Sequence, residues 1–173
     1  MTFNAWQNPG INSLFLYEGK AKKVFKYGDN EVMIYFKDDA TAGNRAKEAK
    51  FEGKGELNAD ISGRLFSVLH EHQIDTHFIG YNGTREHRCH KLDIIPIEVI
   101  VRNRAAGTFC KRYGVELGAS LRNTVVEFCI KDDELNDPPI SEDAIVGLNI
   151  TDIITISKIR ETSKIINVIL TRT

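Results

Sequence analysis

The stretch LYEGKAKKVFKYGDNEVMIYF, residues 16–36, decides the class of the fold. Apolar and aromatic residues lead up to Tyr17, stop at the Lys-rich bend EGKAKK, and resume from Val24 to Tyr27. The turn signal YGDN follows, and apolar residues then alternate at positions 32, 34 and 36. This period of two is typical of strands, so the stretch predicts an antiparallel meander of three strands.

A long helix is expected next, running to about His72 after the small and polar loop DDATAGN at residues 38–44. Gly53 and Gly55 weaken its first half, because a glycine inside a helix costs about 1 kcal/mol relative to alanine, and two helical pieces are the alternative. The clearest part of the helix carries apolar residues three and four positions apart, which predicts one buried face. That face consists of Leu57, Ile61, Leu65, Val68 and Leu69.

The remaining chain predicts a hairpin and then a second group of strands and helices. The hairpin strands are expected at residues 76–81 and 85–92, joined by Asn82-Gly83. A buried strand with a bend at Pro96 is expected at residues 94–101, followed by a basic loop and short helix at residues 102–118. The last elements expected are a strand at 125–130, a loop at 131–140, a short helix at 141–146 and a helix at 151–170. The class is therefore α+β, with an antiparallel N-terminal sheet that carries one long helix and a second lobe that is incomplete.

Composition excludes several classes of protein. The chain has 173 residues, of which 42% are hydrophobic and 27% charged, with a formal net charge of -1. This length allows one compact domain or two small lobes, and the balanced charge gives no general attraction to nucleic acid or an anionic membrane. No apolar run approaches the roughly 18 residues of a spanning helix, and the N-terminus shows no signal-peptide pattern. We therefore expect neither nucleic acid nor a membrane as a partner.

Three cysteines, Cys89, Cys110 and Cys129, form no CxxC pair. Buried or half-buried free thiols in a reducing, cytoplasmic setting are the expected state. His87, Cys89 and His90 are close in sequence, but on a strand His87 and Cys89 share one face while His90 points to the other. Three ligands cannot converge from that geometry, so no metal site is expected there.

Two segments of the first half carry candidate anion-binding groups. In the Lys-rich bend, Lys20 and Lys22 lie two positions apart, where their ammonium groups suit nucleotide phosphates. A solvated hairpin edge is the alternative. In DDATAGN, Asp39 and Thr41 precede the helix and could position a phosphate, a metal-bound water or the loop itself. Helix capping is the alternative there.

The second half carries two more candidates. The stretch VRNRAAGT, residues 101–108, has two arginines two positions apart, then small residues and a hydroxyl, which suits recognition of a carboxylate or phosphate. Its alternatives are a solvated basic helix and contact with an RNA backbone, against which the neutral total charge argues. Lys131 begins the acidic loop KDDELNDPP, whose carboxylates could hold Mg²⁺ or an amino group unless the loop is simply hydrated. Lys91 and Glu98 frame the apolar strand and could line the edge of an adenine pocket.

Four blocks taken together resemble one known family: LYEGKAKKVF, DDATAGN, KLDIIPIEVIVRNRAAGTFCKR and FCIKDDELNDPPI. They are similar to the SAICAR synthetase family, the phosphoribosylaminoimidazole-succinocarboxamide synthases of purine biosynthesis, from about Leu14 to Leu170. The resemblance implies a two-lobed fold related to kinase and ATP-grasp folds, with ATP held between the lobes. It implies a nucleotide-binding lobe at residues 1–90 and a partial second lobe with the substrate-binding loop at residues 91–173.

The resemblance also implies an activity. It is that of an ATP-dependent ligase joining CAIR (4-carboxy-5-aminoimidazole ribonucleotide) to L-aspartate through an acyl phosphate, with SAICAR, ADP and phosphate as products. Small-molecule substrates and a cytoplasmic location follow from it, and a homo-oligomer is compatible with it. It assigns the ATP site to Lys20, Lys22, Lys91, Glu98 and Lys131, with Lys20 and Lys131 also catalytic. It assigns the substrate site to Asp39, Thr41, Arg102 and Thr108.

The chain departs from the family on its C-terminal side. Blocks resembling DFKLEFG and DExSPD, which supply acids for the Mg²⁺ that accompanies ATP, are absent from the sequence. No metal ligand is therefore expected within this chain. The alternative function is that of a truncated, non-catalytic fragment that still binds nucleotide or CAIR.

Overall fold

Residues 15–36 form the antiparallel meander that their alternating pattern predicts. The computed structural model describes residues 15–42 and 47–172, so Leu14 lies outside the described residues. Val24 of the second strand pairs with Ile34 of the third, and their apolar side chains share one face of the sheet. The three strands are β1 (Phe15–Glu18), β2 (Lys22–Lys26) and β3 (Glu31–Phe36).

The segment after β3 differs from its prediction. A loop and the start of a helix are expected there, but Asp39–Ala42 (β4) and Lys47–Lys50 (β5) pair as antiparallel strands. Both predictions are wrong at these positions, because neither strand carries the alternating apolar pattern that marks a strand in sequence. Gly53, at φ 81, turns the chain after β5, and helix α1 (Lys54–Glu71) begins only there. Gly43 and Asn44 of the predicted loop lie outside the described residues.

A second hairpin completes a five-stranded sheet of order β1-β2-β3-β7-β6. β6 (Phe78–Tyr81) and β7 (Glu86–His90) are joined through the predicted Asn82-Gly83 turn. Thr84 N donates a hydrogen bond of 3.0 Å to Asn82 Oδ1, and Gly83 has φ 81, which glycine adopts without strain. The first sheet and its hairpin are therefore confirmed.

Helix α1 packs on this sheet through a different face from the predicted one. Its buried residues are Gly55, Ala59, Gly63 and Leu69. Of the predicted face, Leu57 is 60% exposed and Ile61 is 47% exposed. The prediction is right for Leu69 but wrong for the exposed part of that face, because small residues let the helix backbone approach the sheet more closely than leucine or isoleucine would. A Cβ on Gly55 would lie 2.4 Å from the carbonyl oxygen of Phe36.

The chain divides into two compact units, of which unit 1 ends at Asp93 and unit 2 begins at Ile94. Unit 2 contains a three-stranded sheet of order β10-β9-β8. The predicted start of its first strand is wrong, because Pro96 delays pairing until Ile97, and Ile94 is 76% exposed. The elements are β8 (Ile97–Arg104), α2 (Thr108–Tyr113), β9 (Ser120–Ile130), β10 (Pro139–Ile140), α3 (Glu142–Gly147) and α4 (Ile153–Leu170).

Both C-terminal helices were predicted and both begin at a side-chain cap. Ser141 accepts a hydrogen bond from Ala144 N at the start of α3, and Asp152 accepts one from Thr155 N at the start of α4. Fully buried Ile145 and Ile156 from these helices pack with Phe128 of β9. The α+β class, with an antiparallel first sheet carrying one long helix, is confirmed. Within the described residues, no helix combines the length and apolarity needed to cross a bilayer.

Candidate functional site

The Lys-rich bend joins β1 to β2. Gly19 N donates to the carbonyl oxygen of Lys22 over 2.9 Å, which closes the bend around Lys20. Lys20 is half-buried, and Lys22 is the first residue of β2. The bend therefore places the two predicted phosphate-binding lysines at one end of the sheet of unit 1.

The Lys22 ammonium points toward the interior, although the residue as a whole is exposed. Its Nζ lies 4.7 Å from the centroid of the Phe36 ring. By the register of β2 and β3, it shares the face of the sheet that carries Val24 and Phe36. Burial lowers the pKa of the Lys22 ammonium, because removal from water disfavours the charged form. An anion beside this ammonium would be attracted more strongly than by a fully hydrated lysine.

Lys37 is a residue that the sequence did not single out. Its ammonium lies 2.5 Å from Glu18 Oε1 and 2.6 Å from Asp39 Oδ2. Hydrogen bonding to Asp39, and then to Glu18, raises the pKa of Lys37, and hydrogen bonding from Lys37 lowers the pKa of Asp39. Asp39, predicted on the substrate side, is thus an ionised group held next to the bend. The only signal in the sequence is the position of Lys37 directly before Asp38-Asp39.

Asp38 has a structural role instead of a binding role. Gly55 N donates to Asp38 Oδ1 over 2.8 Å, and Arg85 Nη1 lies 3.2 Å from Asp38 Oδ2. The Gly55 N–H, followed by Arg85, lowers the pKa of this carboxyl group. Asp38 therefore caps the first turn of α1 from outside the helix, so the capping alternative holds for Asp38 and not for Asp39. Thr41 pairs through its backbone with Glu48 in the β4–β5 hairpin.

In unit 2, Arg102 lies on β8 and not in the predicted loop. Its Nε donates to Glu127 Oε2 over 2.6 Å, and its Nη1 donates to the carbonyl oxygen of Ala106 over 3.2 Å. The guanidinium also lies 5.4 Å from the centroid of the Phe109 ring. Thr108, exposed at the first position of α2, is thus in the segment that Arg102 contacts. The structure brings these two predicted substrate residues into one neighbourhood.

Glu127 also lines a cavity of about 500 Å³ that the sequence does not predict. Arg112 Nη1 lies 2.6 Å from Glu127 Oε1, and Arg160 is paired with Glu142 in another wall of the cavity. The lining residues come from β9, β10 and three helices, so no single motif marks the cavity in the sequence.

Lys131 and Glu98, both predicted at the ATP site, lie together in unit 2. Lys131 Nζ is 3.8 Å from Glu98 Oε2 and 3.4 Å from Asp137 Oδ1. Lys131 N also donates to the carbonyl oxygen of Pro96, which ties the end of β9 to the start of β8. Lys91 belongs to unit 1, where its N–H donates to the carbonyl oxygen of Asn30 over 2.9 Å.

The acidic loop after Lys131 is closed by its own carboxylates. Asp132 Oδ1 accepts hydrogen bonds from Glu134 N and Leu135 N, and Asp137 Oδ1 accepts one from Asp132 N. Within residues 15–42 and 47–172, no group of three or more histidine, cysteine or acidic side chains is placed to hold a metal ion. The carboxylates of Asp132 and Asp137 are thus engaged with the loop backbone, and the family resemblance places the acids for Mg²⁺ in blocks that this sequence lacks.

The prediction that His87 and Cys89 lie on one face of their strand, and His90 on the other, is confirmed for β7. His87 and Cys89 are both buried, whereas His90 is exposed. The His87 Nε2 lies 2.8 Å from the carbonyl oxygen of Ala59, which ties β7 to α1. Burial raises the pKa of the Cys89 thiol to about 11, so this thiol is unreactive at neutral pH.

Comparison with known proteins shows the family of this chain. The family model for SAICAR synthetase matches residues 15–173. A phosphoribosylaminoimidazole-succinocarboxamide synthase of Prochlorococcus marinus is 48% identical over 139 residues, which are 80% of this chain and 57% of that protein. The chain thus spans a little over half the length of this relative.

Solved structures agree with the sequence match. The phosphoribosylaminoimidazole-succinocarboxamide synthase of Ehrlichia chaffeensis is 42% identical and superposes with a TM-score of 0.89, covering 91% of this chain and 67% of that one. A SAICAR synthetase in complex with ADP is 45% identical with a TM-score of 0.86, covering 89% of this chain and 66% of that one. From the family match over nearly all of its length and from these superpositions, the chain belongs to the SAICAR synthetase family.

Proposed function

We propose that this chain is an ATP-dependent carbon–nitrogen ligase, which converts CAIR and L-aspartate into SAICAR while ATP yields ADP and phosphate. The observation that carries the proposal is the 45% sequence identity between this chain and a SAICAR synthetase that was solved in complex with ADP. Because the chain spans 57% of the length of the Prochlorococcus relative, binding of nucleotide or CAIR without turnover is the second candidate.

In unit 1, Lys20 and Lys22 are proposed to bind the phosphates of ATP. Support comes from the position of both lysines in the bend and from the inward ammonium of Lys22, 4.7 Å from the Phe36 ring. Asp39 and Thr41 are proposed to act on the substrate side. Asp39 suits this role because its ion pair with Lys37 keeps the carboxylate charged and in one place.

In unit 2, Arg102 and Thr108 are proposed to bind CAIR. Glu127 supports this role because its carboxylate holds the Arg102 guanidinium at 2.6 Å and thereby sets its direction. Lys131 and Glu98 are proposed to contact ATP, supported by their separation of 3.8 Å, and Lys91 is proposed to contact the adenine. Each of these assignments rests on the family resemblance together with the geometry within one unit.

The chemistry needs cationic side chains. A carboxylate resists nucleophilic attack by an amine, because its negative charge repels the attacking electron pair. When a carboxylate oxygen of CAIR attacks the γ-phosphorus, the bond to the β,γ-bridging oxygen breaks and ADP leaves with the electron pair. The aspartate amine then attacks the carbonyl carbon of the acyl phosphate and loses a proton, and the bond to phosphate breaks. Lys20, Lys22 and Arg102 would offset negative charge in these steps.

Mg²⁺ is the usual companion of ATP in phosphoryl transfer, where it neutralises charge on the phosphates. The residues that the structure describes form no such metal site, so no step is assigned to it. For the compartment, we propose the cytoplasm, because the three free thiols Cys89, Cys110 and Cys129 suit a reducing environment.

The proposal is tested with the chain as it stands. Isothermal calorimetry with ADP and with CAIR measures binding, and a coupled assay measures ADP release from ATP with Mg²⁺. The proposal expects binding of both ligands and ADP release only when CAIR and L-aspartate are both present. Binding of both ligands without ADP release would establish the second candidate, and failure to bind either ligand would reject both.

Arg102→Ala sharpens the assignment of the CAIR site. We expect it to weaken CAIR binding by about 2–5 kcal/mol, because a substrate anion and Glu127 would both lose a charged partner. Binding of ADP should be unchanged. Arg122→Ala is the control, since Arg122 is an exposed arginine of β9 outside the candidate segments. Equal losses for ADP and CAIR would show that Arg102 is misassigned.

A further inference from the structure

Lys37 connects two segments of unit 1 that are proposed to bind ligands. It follows β3 and reaches Glu18 at the start of the Lys-rich bend and Asp39 at the start of β4. Its side chain is 12% exposed, whereas those of Glu18 and Asp39 are 40% and 41% exposed. The cation is thus the most enclosed member of the group, and the two carboxylates cover it.

Lys37 also holds the backbone of the bend. Its N–H donates to the carbonyl oxygen of Ala21 over 2.9 Å, and its ammonium lies 3.4 Å from the carbonyl oxygen of Gly19. Lys37 thus contacts Glu18 and Gly19 before Lys20 in the sequence, and Ala21 after it. Lys37 therefore contacts the bend through both its side chain and its backbone N–H.

Two neighbouring lysines contact Glu18 and Asp39 in other ways. Lys23 Nζ lies 3.6 Å from Glu18 Oε2, and both of those side chains are 40% exposed. Lys54 reaches Asp39 only at its carbonyl oxygen, over 3.0 Å. Hydrogen bonds to charged partners contribute more when they are enclosed, so the Lys37 contacts should dominate.

We infer that Lys37 is a positioning residue that fixes the Lys-rich bend relative to Asp39, so that Lys20 and Lys22 are held ready for nucleotide phosphates. Lys37 itself need not touch the nucleotide, since its ammonium is already occupied by Glu18 and Asp39. The inference rests on the proposed function for the role of the nucleotide. The hold on the bend is a property of the protein alone and is testable without any ligand.

The test compares Lys37→Met with Lys37→Arg, and with Lys26→Met as a matched control. Methionine keeps most of the length and removes the charge, whereas arginine keeps the charge. Lys26 is the last residue of β2, and it forms an exposed ion pair with Asp29 at 3.7 Å. Each variant is measured by calorimetric titration with ADP, by hydrogen exchange of the Gly19 amide without ligand, and by thermal unfolding.

Lys37→Met should raise the ADP dissociation constant about tenfold and speed exchange of the Gly19 amide by a similar factor. Lys37→Arg should restore both values to within about threefold of the wild type, and Lys26→Met should leave both unchanged. A double-mutant cycle with Glu18→Gln should be non-additive, because both changes release the same contact.

Two results would overturn the inference. One is a Lys37→Met variant that melts at a lower temperature but keeps the wild-type ADP affinity and Gly19 exchange rate, since Lys37 would then act on stability alone. The other is additivity of Lys37→Met and Glu18→Gln. If the wild-type chain does not bind ADP, the proposed function fails, and Gly19 exchange still decides whether Lys37 holds the bend.

Discussion

The two long helices of the molecule, α1 in unit 1 and α4 in unit 2, are both 18 residues long and pack in opposite ways. Three of the four buried residues of helix α1 are small, namely Gly55, Ala59 and Gly63, and the fourth is Leu69, whereas Leu57 is 60% exposed. Helix α4 buries large residues, Ile156 and Ile169. The same length of helix is thus attached by close backbone approach in one unit and by bulky apolar packing in the other.

The difference shows where each unit obtains its stability. The α1 backbone is held by polar contacts, since Asp38 accepts from Gly55 N and His87 bonds to the carbonyl oxygen of Ala59. In unit 2, Ile145, Ile156 and Phe128 form an apolar cluster, where the removal of apolar surface from water is the main contribution. Substitutions that remove volume should therefore damage unit 2 most, and substitutions that add volume should damage unit 1 most.

The largest effect is expected from Ile156→Ala. Ile156 is fully buried at 0% exposure, so the change leaves a cavity in the core of unit 2. The free energy of unfolding should fall by about 2–5 kcal/mol, as measured by urea denaturation. Ile154→Ala on the same helix is the control, because Ile154 is 78% exposed and its loss should cost less than about 0.5 kcal/mol. Equal losses for the two variants would contradict the packing of α4.

The next effect concerns added volume in unit 1. Gly55→Ala places a Cβ 2.4 Å from the carbonyl oxygen of Phe36, so the helix must move away from the sheet. We expect a loss of about 1–3 kcal/mol in the free energy of unfolding.

Gly63→Ala provides the control for the same helix. Its Cβ would meet Tyr81 at 3.4 Å, an ordinary contact, and alanine favours the helix over glycine by up to about 1 kcal/mol. The two glycine variants should therefore change the urea midpoint in opposite directions. A change in the same direction would mean that close approach is not what α1 requires at Gly55.

The sequence predicts the elements of the fold well where an apolar pattern repeats. The alternation at Val32, Ile34 and Phe36 and the Asn82-Gly83 turn locate most of the first sheet, and the isoleucines of α4 locate that helix. Prediction from the sequence fails where the buried residues of an element are small. Gly55 counts against a helix in sequence, yet in the structure it is the residue that permits α1 to touch Phe36. The β4–β5 hairpin is missed because its two strands have no apolar face.

The sequence locates the candidate site less completely. Segment motifs draw attention to Lys22, Arg102 and Lys131, and the proposed roles of these residues remain predictions. The pairing of Arg102 with Glu127 and that of Lys37 with Glu18 are not predictable, because the partners lie far apart along the chain. Glu127 is 25 positions from Arg102, and Lys37 is 19 positions from Glu18. Only the pairing of strands brings such groups together.

The smallest effect expected is a pH dependence of the free energy of unfolding. It should arise from the polar attachment of α1 through His87, and the apolar attachment of α4 should not contribute to it. His87 is 2% exposed and contacts the carbonyl oxygen of Ala59 over 2.8 Å. Burial, with smaller contributions from Lys22 and His77, lowers the pKa of His87 below its ordinary value of 6.5. The unfolded chain therefore binds a proton near pH 6.5 that the folded chain does not bind.

It follows that the free energy of unfolding is highest above pH 6.5 and falls as the pH drops from there toward the folded-state pKa of His87. At about pH 6 this single histidine accounts for at most ~0.8 kcal/mol. His87→Gln keeps an N–H donor for Ala59 and removes the titration, so urea denaturation at about pH 7.5 and about pH 6 should show a smaller difference than in the wild type. His70→Gln, which changes an exposed histidine of α1, should keep the wild-type difference. An unaltered difference in His87→Gln would mean that the polar attachment of α1 to β7 does not depend on a neutral imidazole.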